Sequence, residues 1–466
     1  MGSQGKEVFQ DLGISSLRLQ YSDKTVSAVD VVEFVYDQIA SHHNQPTWIN
    51  IVPREDALAY AISLSKQYHD KPLPPLFGVP FSVKDSIDVA GIPTTVACPS
   101  FAYTPDRTAP VVQKVLDAGG ILIGKANLDQ FATGLVGHRS PYGTPRCVFD
   151  YDYISGGSSS GSAVSVGTNQ VSFAIATDTA GSTRIPSALN GLVGLKPTLG
   201  TLSTVGLIPA CKTADCITVI ARSVDDARAA WEVMKGFDKE DAYARESLPQ
   251  LPSFPPAVRF GTPPDDVLDV LSPEYADLLL QCVSGLSTQL GWDKRQFDYW
   301  PFQSANDMLY GSSFVAQRLV AFDDYLQEQG MDKLHPVIQS IFASSSGFDA
   351  VRAYKDIFDL ATYRRKAAIQ FRDIDVLVVP STVTHFTVTE IEEDPIARNK
   401  LMGSFTHFVN LLDLCALAVP TGKWKNPNGN NLPFGITLIG QAGRDEELMA
   451  LGKLIMEHFN NIPHIL

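Results

Sequence analysis

Short apolar runs, each closed by glycine, proline, aspartate or asparagine, alternate with helical patterns along this chain. Residues 109–118 carry Val112, Val115 and Leu116 at helical spacing and stop at Gly119-Gly120, just before the strand-like Ile121-Leu122-Ile123. Comparable apolar runs return at 171–176, 376–379 and 434–439. Runs this short among helices bury themselves best in one large sheet covered on both faces. Nearer the start, Ser27-x-x-Asp30 spells a capping box ahead of Val32, Val35, Tyr36 and Ile39, which marks an amphipathic helix with a structural role.

Composition narrows the function classes. The chain has 466 residues, 37 Lys plus Arg against 51 Asp plus Glu, and a formal net charge of -14. That charge repels a phosphate backbone, and no basic run offsets it, so nucleic acid is not an expected partner. Six cysteines, at 98, 147, 211, 216, 282 and 415, form no CxxC pair and fit a reduced, cytoplasmic protein. The start is polar and no run of 18 apolar residues occurs, so neither a signal peptide nor a membrane span is expected. No internal repeat is visible. The length allows several domains, yet we read residues 1–466 as one. An N-terminal helical segment covers about 1–65, a core about 66–236 and 371–466, and a helical substrate-side insertion about 257–370, with a linker at 237–256.

Two glycine motifs suggest readings that their surroundings oppose. Gly119-x-x-x-x-Gly124-Lys125 nearly spells a phosphate loop, but Ala126 stands where Ser or Thr must reach Mg²⁺, and the order is helix, glycines, strand. Gly157-x-Ser159-x-Gly161 formally matches a nucleophile elbow, but residues 151–155 make a poor buried strand ahead of it. On composition alone, residues 156–162 read as a flexible loop. Their setting argues otherwise: Ala163, Val164, Val166 and the run at 171–176 follow, and then Thr177-Asp178-Thr179-Ala180-Gly181-Ser182-Thr183-Arg184. Two small-residue turns, each carrying serine and consecutive backbone N–H groups, are what an activated hydroxyl and an oxyanion site require.

These stretches resemble the amidase signature family, whose mark is a Gly-Gly-Ser-Ser stretch followed 24 residues later by Asp-x-x-Gly-Ser-x-Arg. Ser158 and Ser182 stand at that spacing. The family's Pro-Phe-x-Val-Lys-Asp segment is present as Pro80-Phe81-Ser82-Val83-Lys84-Asp85. The resemblance implies an α/β/α sandwich around a large mixed, twisted β-sheet. It also implies Ser182 as nucleophile, a cis Ser158 as proton relay and Lys84 as base, with the N–H groups of Thr179, Ala180, Gly181 and Ser182 as the oxyanion hole.

That chemistry makes a demand. A lysine accepts a proton near neutrality only if burial lowers its pKa by several units, so Lys84 must be buried without a close carboxylate. The plain alternative is an exposed ion pair with Asp85, which the apolar lead-in opposes. Asp178 and Arg184 read as an internal frame that holds the nucleophile loop.

Within the family, residues 131–143 and 408–420 look like the allophanate hydrolases. Those enzymes carry a Tyr and an Arg eight residues apart that hold the substrate carboxylate, here Tyr310 and Arg318. The resemblance also places Gly134 and Gly137 at the substrate. A small anion needs a charge-assisted clamp, which a guanidinium fork and a phenol supply; the plain alternative is an Arg318 facing solvent. His138, Thr183 and Ser312-Ser313-Phe314 depart from the pattern, where threonine, glycine and a Gly-Pro-Trp run are expected.

The implied activity is hydrolysis of the terminal C–N bond of allophanate, releasing ammonia through an acyl-enzyme. The implied partners are a small anionic amide, a second copy in a homodimer, and a urea carboxylase, fused or separate. No cofactor is implied, nor a metal, since the nine histidines show no ligand spacing. Family members often add a C-terminal domain linked to decarboxylation of N-carboxycarbamate; we expect it to be absent here and the reaction to stop at C–N cleavage. Three rival readings stand beside this one: an amidase for fatty or aryl amides, a non-catalytic or transamidating component of a complex, and an α/β-hydrolase using Ser159 with His385 or His407.

Overall fold

The computed structural model describes residues 11–459; residues 1–10 and 460–466, which hold most of the polar start and His464, lie outside it. Eleven strands form one sheet: β1 (Trp48–Ile51), β2 (Pro80–Lys84), β3 (Ile121–Ala126), β4 (Phe173–Thr177), β5 (Val193–Lys196), β6 (Ile217–Ala221), β7 (Arg259–Gly261), β8 (Asp293–Lys294), β9 (Val376–Pro380), β10 (Leu414–Lys425) and β11 (Asn431–Gln441). Their spatial order is β1-β3-β2-β4-β6-β5-β10-β11-β9-β7-β8. The sheet is mixed: β3, β2 and β4 run parallel, β4 to β9 alternate through β6, β5, β10 and β11, and β9, β7 and β8 are parallel again. This is the α/β architecture expected from the sequence.

Burial on both faces follows from the side-chain alternation of a strand. In β9, Val376 and Val378 enter one apolar core, while Leu377 and Val379 enter the other. The first core is closed by Leu448, Met449 and Ile455 of the last helix, Asp445–Phe459; the second is closed by Ile185, Leu189, Phe302 and Phe408. The capping box forms as read: the Ser27 hydroxyl accepts from Asp30 N at 3.2 Å, and Ser27 N donates to the Asp30 carboxylate at 2.9 Å.

The segment 257–370 is mostly helical, but it also contributes β7 and β8, which extend the sheet edge beyond β9. The near phosphate loop turns into β3, whose Lys125 is fully buried and paired with Asp85 at 3.1 Å. No helix among the described residues is long and apolar enough to cross a membrane. All six cysteines are free and buried.

Candidate active site

Lys84 closes β2 and Thr177 closes β4, so two parallel neighbours deliver both side chains to the same carboxyl edge of the sheet. Carboxyl ends of parallel strands are where α/β proteins place their sites, because the crossover turns open there. The apolar lead-in Phe81 and Val83 buries the strand, and Lys84 is carried inside with it at 0% exposure.

Lys84 Nζ donates to Ser158 Oγ at 2.7 Å, to Thr177 Oγ1 at 2.7 Å and to Ser159 Oγ at 3.0 Å. Its sequence neighbour Asp85 is turned away, accepting from Thr95 N and Oγ1 and paired with Lys125. Among the described residues no carboxylate forms an ion pair with Lys84. Burial pulls its pKa down to about 7, and the more distant Asp129, Asp178 and Asp215 oppose that only in part. A neutral amine beside a serine hydroxyl can accept its proton over the same 2.7 Å contact.

The Gly157-Ser158 peptide bond is cis. The second turn lies alongside: Ser159 N donates to Ser182 O at 3.2 Å. Thr179, Ala180 and Ser182 are each at most 4% exposed, and among the described residues their N–H groups have no hydrogen-bond partner. Buried N–H groups are costly to leave unpaired, so three of them in one turn mark a place for an acceptor. The fourth expected donor is otherwise engaged, since Gly181 N donates to Asp178 Oδ1 at 2.8 Å.

The frame read from Asp178 and Arg184 is present. Arg184 Nη2 and Nε donate to the two Asp178 oxygens at 2.8 and 2.9 Å, with both side chains fully buried. Burial alone would raise the Asp178 pKa, but the Arg184 charge and its hydrogen bonds bring it below the usual carboxylate value. Residues far along the chain brace the same turn. Thr406 Oγ1 donates to Ala180 O at 2.6 Å, Asn410 Nδ2 to Asp178 O at 2.6 Å, and Thr179 Oγ1 to Asp215 Oδ1 at 2.5 Å.

Arg318 is fully buried rather than facing solvent. Its Nη2 donates to Tyr310 Oη at 3.4 Å, its Nε donates to Thr133 Oγ1 at 3.2 Å, and its Nη1 has no partner. No carboxylate pairs with it among the described residues. The Arg318–Tyr310 pair adjoins the 178–184 turn through His407, which follows Thr406 and whose ring lies 5.1 Å from that of Tyr310. Gly134 packs against Asp129 and Arg139, and Gly137 lies against Ser155, Gly156 and Ser160; Gly137 N is committed to Asp129 Oδ2 at 3.0 Å, so that glycine shapes the turn rather than offering its N–H.

The Ser159 triad is not assembled. His385 Nε2 bonds Ile154 O, neither His385 nor His407 bonds Ser159, and burial takes their pKa values down to about 4 and about 3. The departures from the family pattern serve local structure. Thr183 Oγ1 donates to Thr177 O at 3.2 Å, Ser312 Oγ to Met308 O at 2.7 Å, and His138 bonds Thr144 and faces Glu392. Sequence reasoning misses Thr177, Asp129, Asp215, Thr406 and Asn410. Thr177 and Asn410 lie inside the motif stretches 177–184 and 408–420, and that placement is the one signal that could have found them. Among the described residues no group of three or more His, Cys, Asp or Glu can hold a metal ion.

Fold and site together have the make-up of an amide-hydrolysing enzyme. The chain belongs to the amidase family, whose pattern, described as Amidase, matches residues 30–449. It is 38% identical to the urea amidolyase of Saccharomyces cerevisiae over 422 residues, 89% of this chain but 22% of that one. The chain therefore spans about a fifth of that relative's length. The urea amidolyase of Lachancea kluyveri is 41% identical over 412 residues, 88% of this chain and again 22% of that one. Among solved structures, the allophanate hydrolase of Kluyveromyces lactis superposes with a TM-score of 0.86 at 37% identity, covering 97% of this chain and 73% of that one.

Proposed function

We propose that this chain hydrolyses the terminal amide of allophanate. Ser182 Oγ attacks the ureido carbonyl, Ser158 passes its proton to Lys84, and the N–H groups of Thr179, Ala180 and Ser182 receive the oxyanion. The C–N bond then breaks, the relay returns the proton to the departing nitrogen, and ammonia leaves. Water, deprotonated by the same relay, attacks the acyl-enzyme and frees N-carboxycarbamate.

The observation that carries this reading is the buried Arg318 guanidinium, which forms no ion pair among the described residues, rests its Nη2 on the Tyr310 hydroxyl and leaves its Nη1 without a partner. A buried cation of this kind calls for an anion, and allophanate brings a carboxylate on one end and an amide on the other. The likeness to the Kluyveromyces lactis allophanate hydrolase supports the same substrate. An amidase for long neutral amides has no use for this charge.

The proposal extends to a cytoplasmic setting, in keeping with six free cysteines. It includes supply of substrate by a urea carboxylase, in keeping with the urea amidolyase relatives. It also includes a homodimer: Val351, Tyr354 and Phe358 stand 63 to 78% exposed on successive turns of the helix Ala350–Gln370, an apolar stripe that a second copy would cover. The test is ammonia release from fresh allophanate by wild type, Ser182→Ala and Arg318→Ala. Activity lost with Ser182→Ala and severely reduced with Arg318→Ala supports the reading; a wild type that ignores allophanate but cleaves neutral amides overturns the substrate.

A further inference from the structure

Asp129 takes no part in the relay described above, yet it touches both halves of the site. Its backbone N donates to Ser158 O at 3.1 Å, on the cis-serine turn. Its carboxylate, fully buried, accepts from Gly137 N at 3.0 Å and from Arg139 N at 2.9 Å. It is packed so closely that a Cβ on Gly157 would meet Asp129 Oδ2 at 2.2 Å, and one on Gly134 would meet it at 2.5 Å. Both glycines are therefore needed for the approach of this carboxylate, independently of any substrate contact.

The turn that Asp129 staples leads to the clamp. Arg139 Nη1 donates to Thr133 O at 3.0 Å and its Nη2 to Pro395 O at 2.8 Å, while Thr133 Oγ1 accepts from Arg318 Nε at 3.2 Å. A chain of direct contacts thus runs from Ser158 through Asp129, the 134–139 turn and Thr133 to Arg318.

We infer that Asp129 is a positioning residue that holds the proton-relay serine and the anion clamp in one register, so that an amide bound by its carboxylate meets the relay at the right place. The inference rests on the proposed relay and clamp. It goes beyond them by assigning their alignment to one carboxylate, since a misplacement of about 1 Å costs around a hundredfold in rate. The charge of Asp129 acts as well. It is the foremost of the carboxylates, with Asp178 and Asp215, that favour the protonated form of Lys84, and it faces Arg139 and His335 on its other sides.

The test uses the whole chain with Asp129→Asn, Asp129→Ser and Thr133→Val, each checked for folding by thermal melting. Two substrates are compared, allophanate and the neutral ester p-nitrophenyl acetate. Asp129→Asn is isosteric and Asp129→Ser is smaller, so one folded variant of the two suffices. Loss of the negative charge makes Lys84 easier to deprotonate, so the acidic limb of kcat/KM moves to lower pH by about half a unit or more with both substrates. KM for allophanate rises about tenfold through the loosened clamp. Thr133→Val raises KM for allophanate with the limb at its wild-type position. A folded Asp129 variant with a wild-type limb and wild-type KM overturns the inference. A wild type inactive on allophanate, with the ester limb still shifted in the Asp129 variants, supports the role of Asp129 and overturns the substrate reading instead.

Discussion

Lys84 Nζ lies 2.7 Å from Ser158 Oγ, while Asp85, its neighbour in sequence, is turned away to Lys125. Lys84 is the last residue of β2 and Asp85 opens the turn that follows it, where its carboxylate is taken up by Thr95 and Lys125, so the amine is left among hydroxyls. The amine is thereby kept from an ion pair that would hold it protonated, as the proposed role of base requires.

The first consequence is a pH profile. Burial sets Lys84 near pKa 7, and the relay needs the neutral amine. We predict that kcat/KM rises about tenfold per pH unit below pH ~7 and levels off above it. Steady-state rates from pH 5 to 9 check this; a plateau reaching down to pH 5 would exclude Lys84 as the base.

A second prediction concerns stability. The folded pKa of Lys84 lies below its unfolded value of 10.5, so the unfolded state binds more protons between about 7 and 10.5. The lysine therefore destabilises the fold fully below pH 7, by an amount on the order of a few kcal/mol, and this cost fades as pH rises towards 10.5. Lys84→Met should abolish activity and gain stability relative to wild type at pH 6, with the gain shrinking by pH 10. Urea denaturation at the two pH values measures it, and a pH-independent difference would sink the idea.

The Asp178–Arg184 pair yields a third. With both side chains at 0% exposure, removing one partner strands the other charge in the interior. Arg184→Met should cost about 3 to 5 kcal/mol in unfolding free energy and disorder the nucleophile turn. A loss below about 1 kcal/mol, the range of surface pairs, would show that the pair does not frame the loop.

The α/β architecture, the capping box, the contiguous motifs of the candidate site and the Tyr310–Arg318 spacing were legible in the sequence, while the bracing around them was not. Lys84, Ser158 and Ser182 sit in short motifs whose neighbours, such as Phe81 and Ala163, declare burial by themselves. The braces of the nucleophile turn come from far away: Asn410 reaches Asp178 across 232 positions, and Thr406 reaches Ala180 across 226. No local pattern reveals that bracing, because long-range hydrogen bonds leave no periodicity. The left-handed backbone at Phe131 and Ala132 was equally invisible, since neither residue type favours it. Among the strands, β9 and β11 announced themselves as apolar runs. β7 and β8 did not, being two or three residues long and carrying Arg259, Asp293 and Lys294 at a sheet edge.

The central claim, that an anionic amide is held by Arg318 for attack by Ser182, is tested most directly by substrate discrimination. Biuret is allophanate with its carboxylate replaced by a neutral amide, so the ratio of kcat/KM for the two isolates the clamp. We predict that wild type prefers allophanate strongly, and that Arg318→Met lowers the ratio by about a hundredfold or more, the worth of a charge-assisted hydrogen-bonded pair in a buried site. A ratio unchanged by Arg318→Met, in a protein whose melting curve matches wild type, would contradict the account.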